Sequence, residues 1–85
     1  MVIMIDEIHL RHLTVDEALI KLDDFIHRAY VSGLMQIKVV HGKGAGIIRQ
    51  TAQRELARHP LVKSYRLGQR GEGGAGVTIV ELSSK

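Results

Sequence analysis

The sequence predicts a two-layer α/β (α+β) sandwich of order βαβαββ, with four strands in one sheet and two helices on one face. Three observations predict it. Short runs rich in branched residues alternate with two longer runs whose apolar residues recur at helical spacing. Glycine, proline and polar residues punctuate the changes between them. The 85 residues suffice for one compact domain, 1–85 with a core over about 5–82.

The elements follow in order. "IDEIHLR" alternates, with Ile5, Ile8 and Leu10 apolar, and reads as a strand ending near Arg11. "LTVDEALIKLDDFIHRAYVSG" is the clearest helix. Thr14 fits its N-cap and Glu17 the third helical position, which makes a capping box. Leu13 and Ala18 stand where a hydrophobic staple would. Val15, Ala18, Leu19, Leu22, Ile26 and Ala29 form the apolar stripe, and Gly33 can end the helix in a left-handed conformation. "QIKVV" is a short strand that stops at His41. "IIRQTAQRELARH" is a second helix with Ile48, Ala52 and Leu56 on one stripe and Pro60 as its stop. "LVKSYRL" and "GVTIVEL" are the last two strands. Between them "GQRGEGGAG" holds five of the nine glycines and reads as a mobile loop.

Composition narrows the partners. At 45% hydrophobic and 25% charged the chain is globular. No cysteine is present, which excludes disulfides and thiolate metal sites. "MVIMI" is too short for a membrane span and lacks a basic leader, so the expected location is cytoplasmic, without a membrane partner. The net charge of +3 points to an anion such as nucleic acid. Only Phe25, Tyr30 and Tyr65 are aromatic. That argues against recognition led by stacking and for contacts to phosphate.

Strands joined by a crossover helix pair in parallel, and their C-terminal ends then share one sheet edge. Arg11 and His12 end the first strand, while His41 and "HGKGAG" end the second. Two basic clusters far apart in sequence are therefore expected side by side. Gly42, Gly44 and Gly46 would let a phosphate approach backbone amides at the second helix's start, with Lys43 adding charge. The spacing is neither a P-loop nor a dinucleotide fingerprint. His41 has the residue type for general acid–base work, with a reference pKa of about 6.5. Arg11 could clamp a phosphate at two points. Arg49, Arg54, Arg58, Lys63, Arg66 and Arg70 would extend the positive edge. The carboxylates of Asp6, Asp16, Glu17, Asp23 and Asp24 do not assemble into a two-metal site. No metal ligand is assigned, and Mg2+ or Mn2+ stays open as the cofactor of a cleavage reaction.

Three blocks resemble the Smr (small MutS-related) domain family: "IHLRHLTVDEA" from Ile8, "HGKGAGIIR" from His41 and "GGAGVTIVEL" from Gly73. Arginine at Arg11 resembles the version at the C-terminus of the second bacterial MutS paralogue. The resemblance implies a mixed four-stranded sheet, like the C-terminal domain of a translation initiation factor. It also implies binding to branched or double-stranded DNA, or to structured RNA or the ribosome. Several members are nicking endonucleases, and some belong to a MutS-like parent with an ATPase part. Its functional positions fall on Arg11, His41, Gly42, Gly44 and Gly46, with the loop of Gly73, Gly74 and Gly76 nearby. Two residues depart from the pattern. His9 stands where the family usually has aspartate, and His12 where it usually has glycine. The expected function is a nucleic-acid-binding domain with structure-directed or non-specific endonuclease activity in DNA repair or recombination. A non-catalytic binding module is the alternative. A small-molecule phosphate binder is the weaker third reading.

Overall fold

The computed structural model describes residues 6–43 and 46–83. The sequence positions Ile5 and Gly44 lie outside the described residues. The strands are β1 (Asp6–His9), β2 (Gln36–Val40), β3 (Val62–Leu67) and β4 (Val77–Leu82). The helices are α1 (Val15–Val31) and α2 (Ile47–Arg58). Two single 3-10 turns, Arg70–Glu72 and Gly74–Gly76, lie between β3 and β4. The sheet order is β1-β2-β4-β3. β1 and β2 are parallel, whereas β4 is antiparallel to both β2 and β3. The mixed four-stranded sheet with two helices is the expected fold.

The capping box forms. The Thr14 hydroxyl accepts from the Glu17 amide at 3.2 Å, and the Glu17 carboxylate accepts from the Thr14 amide at 2.9 Å. At the other end, the Gly33 amide reaches the Tyr30 carbonyl at 3.1 Å and the Leu34 amide the Ala29 carbonyl at 3.0 Å. This pair of bonds closes α1 as a Schellman motif.

Ala18, Leu22, Ile26 and Ala29 of α1 meet Ala52 and Leu56 of α2 over Ile8, Leu10, Ile37, Val39, Val80 and Leu82 of the sheet. Val15 is exposed, so the stripe on α1 is narrower than its sequence suggests. Each fully buried leucine contributes roughly 1.5–3 kcal/mol. This cluster therefore holds the two layers together.

Two expectations change. β1 ends at His9 rather than near Arg11, because the chain turns at His12, whose φ is +68°. The loop between β3 and β4 is also built differently from the mobile segment its glycines suggest. Val77 and Ile79 are buried yet stand outside the main cluster. Alternation along β4 aims them at the opposite sheet face. The loop covers Val77 there: a Cβ on Gly73 would stand 2.5 Å from Val77 Cγ2. Arg66 donates to both Glu72 oxygens at 2.6 and 2.8 Å, and the Gln69 amide adds a third bond at 2.8 Å. The guanidinium holds the Glu72 carboxyl down at about 2.

Candidate nucleic-acid interface

The three sequence blocks meet at one edge of the sheet. The Leu10 amide donates to the Val40 carbonyl at 2.8 Å, which carries Arg11 beside the end of β2. The Gly76 carbonyl accepts from the amides of His41 and Gly42 at 3.0 and 2.9 Å. One oxygen thus ties the loop after β2 to the start of β4.

Glycine is required at two points. Gly42 has φ +83°, and a Cβ there would stand 3.4 Å from Cγ and Nε of Arg11. The missing side chain leaves the room in which Arg11 lies. A Cβ on Gly76 would come within 3.2 Å of Lys43 Cγ and 3.4 Å of Lys43 N. Here glycine allows two backbones to touch. Together they shape an open cleft of about 330 Å³ lined by Arg11, Val40, Gly42, Lys43, Gly73, Gly76 and Val77. Lys43 Nζ lies 4.0 Å from the Cβ position of Gly74.

His41 stands behind the cleft, bonded to the peptide of Gly42 that lines it. It is buried, at 6% exposure. Nδ1 stands 3.1 Å from the Gly42 carbonyl, and Nε2 stands 2.8 Å from Thr78 Oγ1. A carbonyl can only accept, so Nδ1 carries the hydrogen. In the neutral ring Nε2 is then bare and accepts from the Thr78 hydroxyl. Burial pushes the His41 pKa below 6.5, and the Arg49 charge adds to this, while the Gly42 bond opposes it. The ring is neutral near pH 7, and both nitrogens are engaged. Proton transfer to a substrate requires one of those bonds to open.

The start of α2 is left open. Its N-cap is Gly46 at φ +84°, with no side-chain cap and no acidic residue in the first turn. Arg49 Nη2 lies 3.5 Å from the Cβ position of Gly46. Arg49 is not part of the cleft lining, and its charge acts on the His41 ring. His12 is exposed in its left-handed turn, the conformation glycine adopts at no steric penalty. His9 is exposed on β1 and pairs with Glu7 at 3.3 Å.

Other expected residues are not brought together. Arg70 is exposed at the first 3-10 turn and does not line the cleft. Arg66 is spent on Glu72, and Arg58 bonds Glu55 at 3.3 Å, so neither extends the positive edge as expected. Arg54 and Lys63 are exposed, away from the cleft lining.

Sequence reasoning missed Thr78. It is fully buried beneath His41. The available signal was the alternation of "GVTIVEL", which puts Thr78 on the same face as Val80 and Leu82 of the core.

A second polar cluster lies at the helix junction, where Asp23, His27 and His59 place potential ligand atoms within 4.8 Å of one another. The Leu61 amide donates to His59 Nδ1 at 3.1 Å. A neutral His59 therefore carries its hydrogen on Nε2, which donates to Asp23 Oδ1 at 2.9 Å. That nitrogen has no lone pair to offer a metal. The cluster is a latch between α1 and the end of α2. Among the described residues, no helix is long and apolar enough to cross a membrane.

Comparison with known proteins agrees with this architecture. The Smr domain family matches residues 8–83. The chain is 53% identical over 76 residues to Endonuclease MutS2 of Clostridium tetani, covering 89% of this chain and 10% of that protein. It is 48% identical over 77 residues to Endonuclease MutS2 of Pelotomaculum thermopropionicum, covering 91% and 10%. The chain thus spans about a tenth of the length of these relatives. The Smr domain of Thermus thermophilus MutS2 superposes with a TM-score of 0.90 at 42% identity, covering 93% of this chain and 99% of that one. YdaL, a stand-alone small MutS-related protein from Escherichia coli, superposes at 0.87 with 27% identity, covering 92% and 64%.

Proposed function

The chain belongs to the Smr domain family, and from that premise we propose that it binds nucleic acid by its backbone phosphates and nicks a phosphodiester. The observation that carries this reading is the cleft. Arg11 and Lys43 line it beside the backbones of Gly42, Gly73 and Gly76, with Val40 and Val77 completing the lining, and the uncapped start of α2 follows Lys43 closely in sequence. Amides and cations arranged around a concavity favour an anion over any neutral ligand.

In this reading Arg11 and Lys43 bind the phosphate and offset the charge that develops on its oxygens during attack. The glycine amides set its position, and Arg49 contacts the next phosphate along. His41 holds the Gly42 carbonyl behind the cleft, and it acts on a proton only when one of its two bonds opens. The expected metals fit poorly. The described lining of the cleft offers no carboxylate, and its two cations repel a divalent ion. These residues do not fit Mg2+ or Mn2+, and no step runs through one. The partners are branched or double-stranded DNA, or structured RNA or the ribosome, with the ATPase part of a MutS-like parent alongside.

A second reading has its own support. Both nitrogens of His41 are engaged, and His9 replaces the family's usual aspartate. A binding module without cleavage is consistent with both facts. The deciding assay incubates the domain with supercoiled plasmid and with structured RNA, with and without divalent metal. Cleavage lost in Arg11→Ala and His41→Ala supports the nuclease. Salt-sensitive binding that Arg11→Ala weakens, with no cleavage, supports the binding module. Equal binding by native protein and Arg11→Ala contradicts both.

A further inference from the structure

We propose that Thr78 is a positioning residue for the cleft, acting through His41 to aim the Lys43 amide at a bound phosphate. This rests on the reading of the cleft as a phosphate site. The hydrogen bonds run in one direction. Thr78 Oγ1 donates to His41 Nε2 at 2.8 Å, and His41 Nδ1 donates to the Gly42 carbonyl at 3.1 Å. No cis peptide occurs among the described residues. In a planar trans peptide the carbonyl and the following N–H point in opposite directions. The Gly42 carbonyl is drawn towards the imidazole, so the Lys43 N–H points away from it.

That amide donates to no acceptor among the described residues. Its neighbours at His41 and Gly42 are both consumed by the Gly76 carbonyl. Gly76 packs against the same peptide, because a Cβ there would lie 3.4 Å from both Gly42 C and Lys43 N. The peptide is thus held from two sides with one donor left over, in a segment that lines the cleft.

Thr78 fixes the sense of the chain. A buried Nε2 without a donor either stays unsatisfied or takes the hydrogen itself. In the second case Nδ1 presents a lone pair to the Gly42 carbonyl, and the two repel. The peptide loses its orientation, and the Lys43 amide loses its aim.

The test uses Thr78→Val, which keeps the shape and removes the hydroxyl, and Thr78→Ser, which restores it. Long-range proton–nitrogen spectra report which nitrogen of His41 is protonated. The Lys43 amide resonance and the affinity are then followed while a short DNA duplex is added. Native protein and Thr78→Ser are expected to show a protonated Nδ1, a bare Nε2 and a Lys43 amide shifted by the duplex. Thr78→Val is expected to lose the single tautomer and about tenfold in affinity, the equivalent of one charge-assisted bond. Equal tautomer and affinity in Thr78→Val overturn the proposal alone. So does a native His41 protonated on Nε2, which decides the matter even if Thr78→Val does not fold. A native domain that binds no duplex overturns the phosphate reading first and this one with it.

Discussion

The two helices begin in opposite ways. The start of α1 is closed by its own side chains, with Thr14 and Glu17 bonding each other's amides and Asp16 beside them. The start of α2 has a left-handed glycine, no side-chain cap and no acid in its first turn. Each helix start exposes amides with partial positive charge. α1 neutralises that charge internally. α2 leaves it unneutralised, just after the segment that carries Lys43 into the cleft beside Arg11. The difference teaches that the same local physics serves stability at one end and anion binding at the other.

The strongest way to break the comparison is Arg11→Ala. It is expected to weaken duplex binding by about 2 kcal/mol, roughly thirtyfold. The exposed position means that the urea midpoint should hardly move. A salt titration should show a slope shallower by about one phosphate contact.

Thr14→Ala is the mirror experiment. It should lower stability by about 1 kcal/mol in urea unfolding, as loss of an N-cap does. Duplex affinity should stay the same, because the cap of α1 serves only the helix.

Ile47→Asp sharpens the contrast by giving α2 what α1 has. Ile47 is the first residue of α2 and is 61% exposed, so the change disturbs no packing. An acid in the first turn should stabilise the helix by about 0.5 kcal/mol. The same charge should weaken duplex binding severalfold by competing with phosphate.

Acid separates the two ends as well. The Thr14 backbone and hydroxyl bonds lower the Glu17 pKa below 4.5. Burial lowers that of His41 below 6.5. In both cases the folded state binds fewer protons than the unfolded state, so stability falls as pH falls. The contribution of His41 is complete above pH 6.5 and is lost below it, through the folded value. That of Glu17 is complete above pH 4.5 and is lost below it. Urea midpoints measured against pH should therefore decline in two stages. His41→Gln should remove the first stage, and Glu17→Gln should reduce the second.

Much of this was legible because it is local. The Thr14–Glu17 spacing, Gly33 after the helix and the branched strands follow from residues within a few positions of one another. The meeting of Arg11 with the His41 loop was also legible, since a parallel crossover puts both strand ends at one edge. What stayed hidden depends on register. His41 reads as a general acid–base candidate at a strand end. It is buried because Val39 pairs with Thr78, which places that hydroxyl beneath the ring. Arg66 reads as part of the positive edge, yet Glu72 of the following 3-10 turn takes up its guanidinium. His59 bonds Asp23 across 36 positions, a contact set by how the helices cross. None of these pairs has a signature within its own segment.

The most direct test of the central claim is an amide-resonance map of the domain as a DNA duplex is added. The account expects shifts at Arg11, Gly42, Lys43, Gly46, Ile47 and Gly73 to Gly76, with Thr14 to Glu17 unmoved. Shifts centred on the start of α1 or on the exposed edge of β3, with the cleft silent, would contradict it.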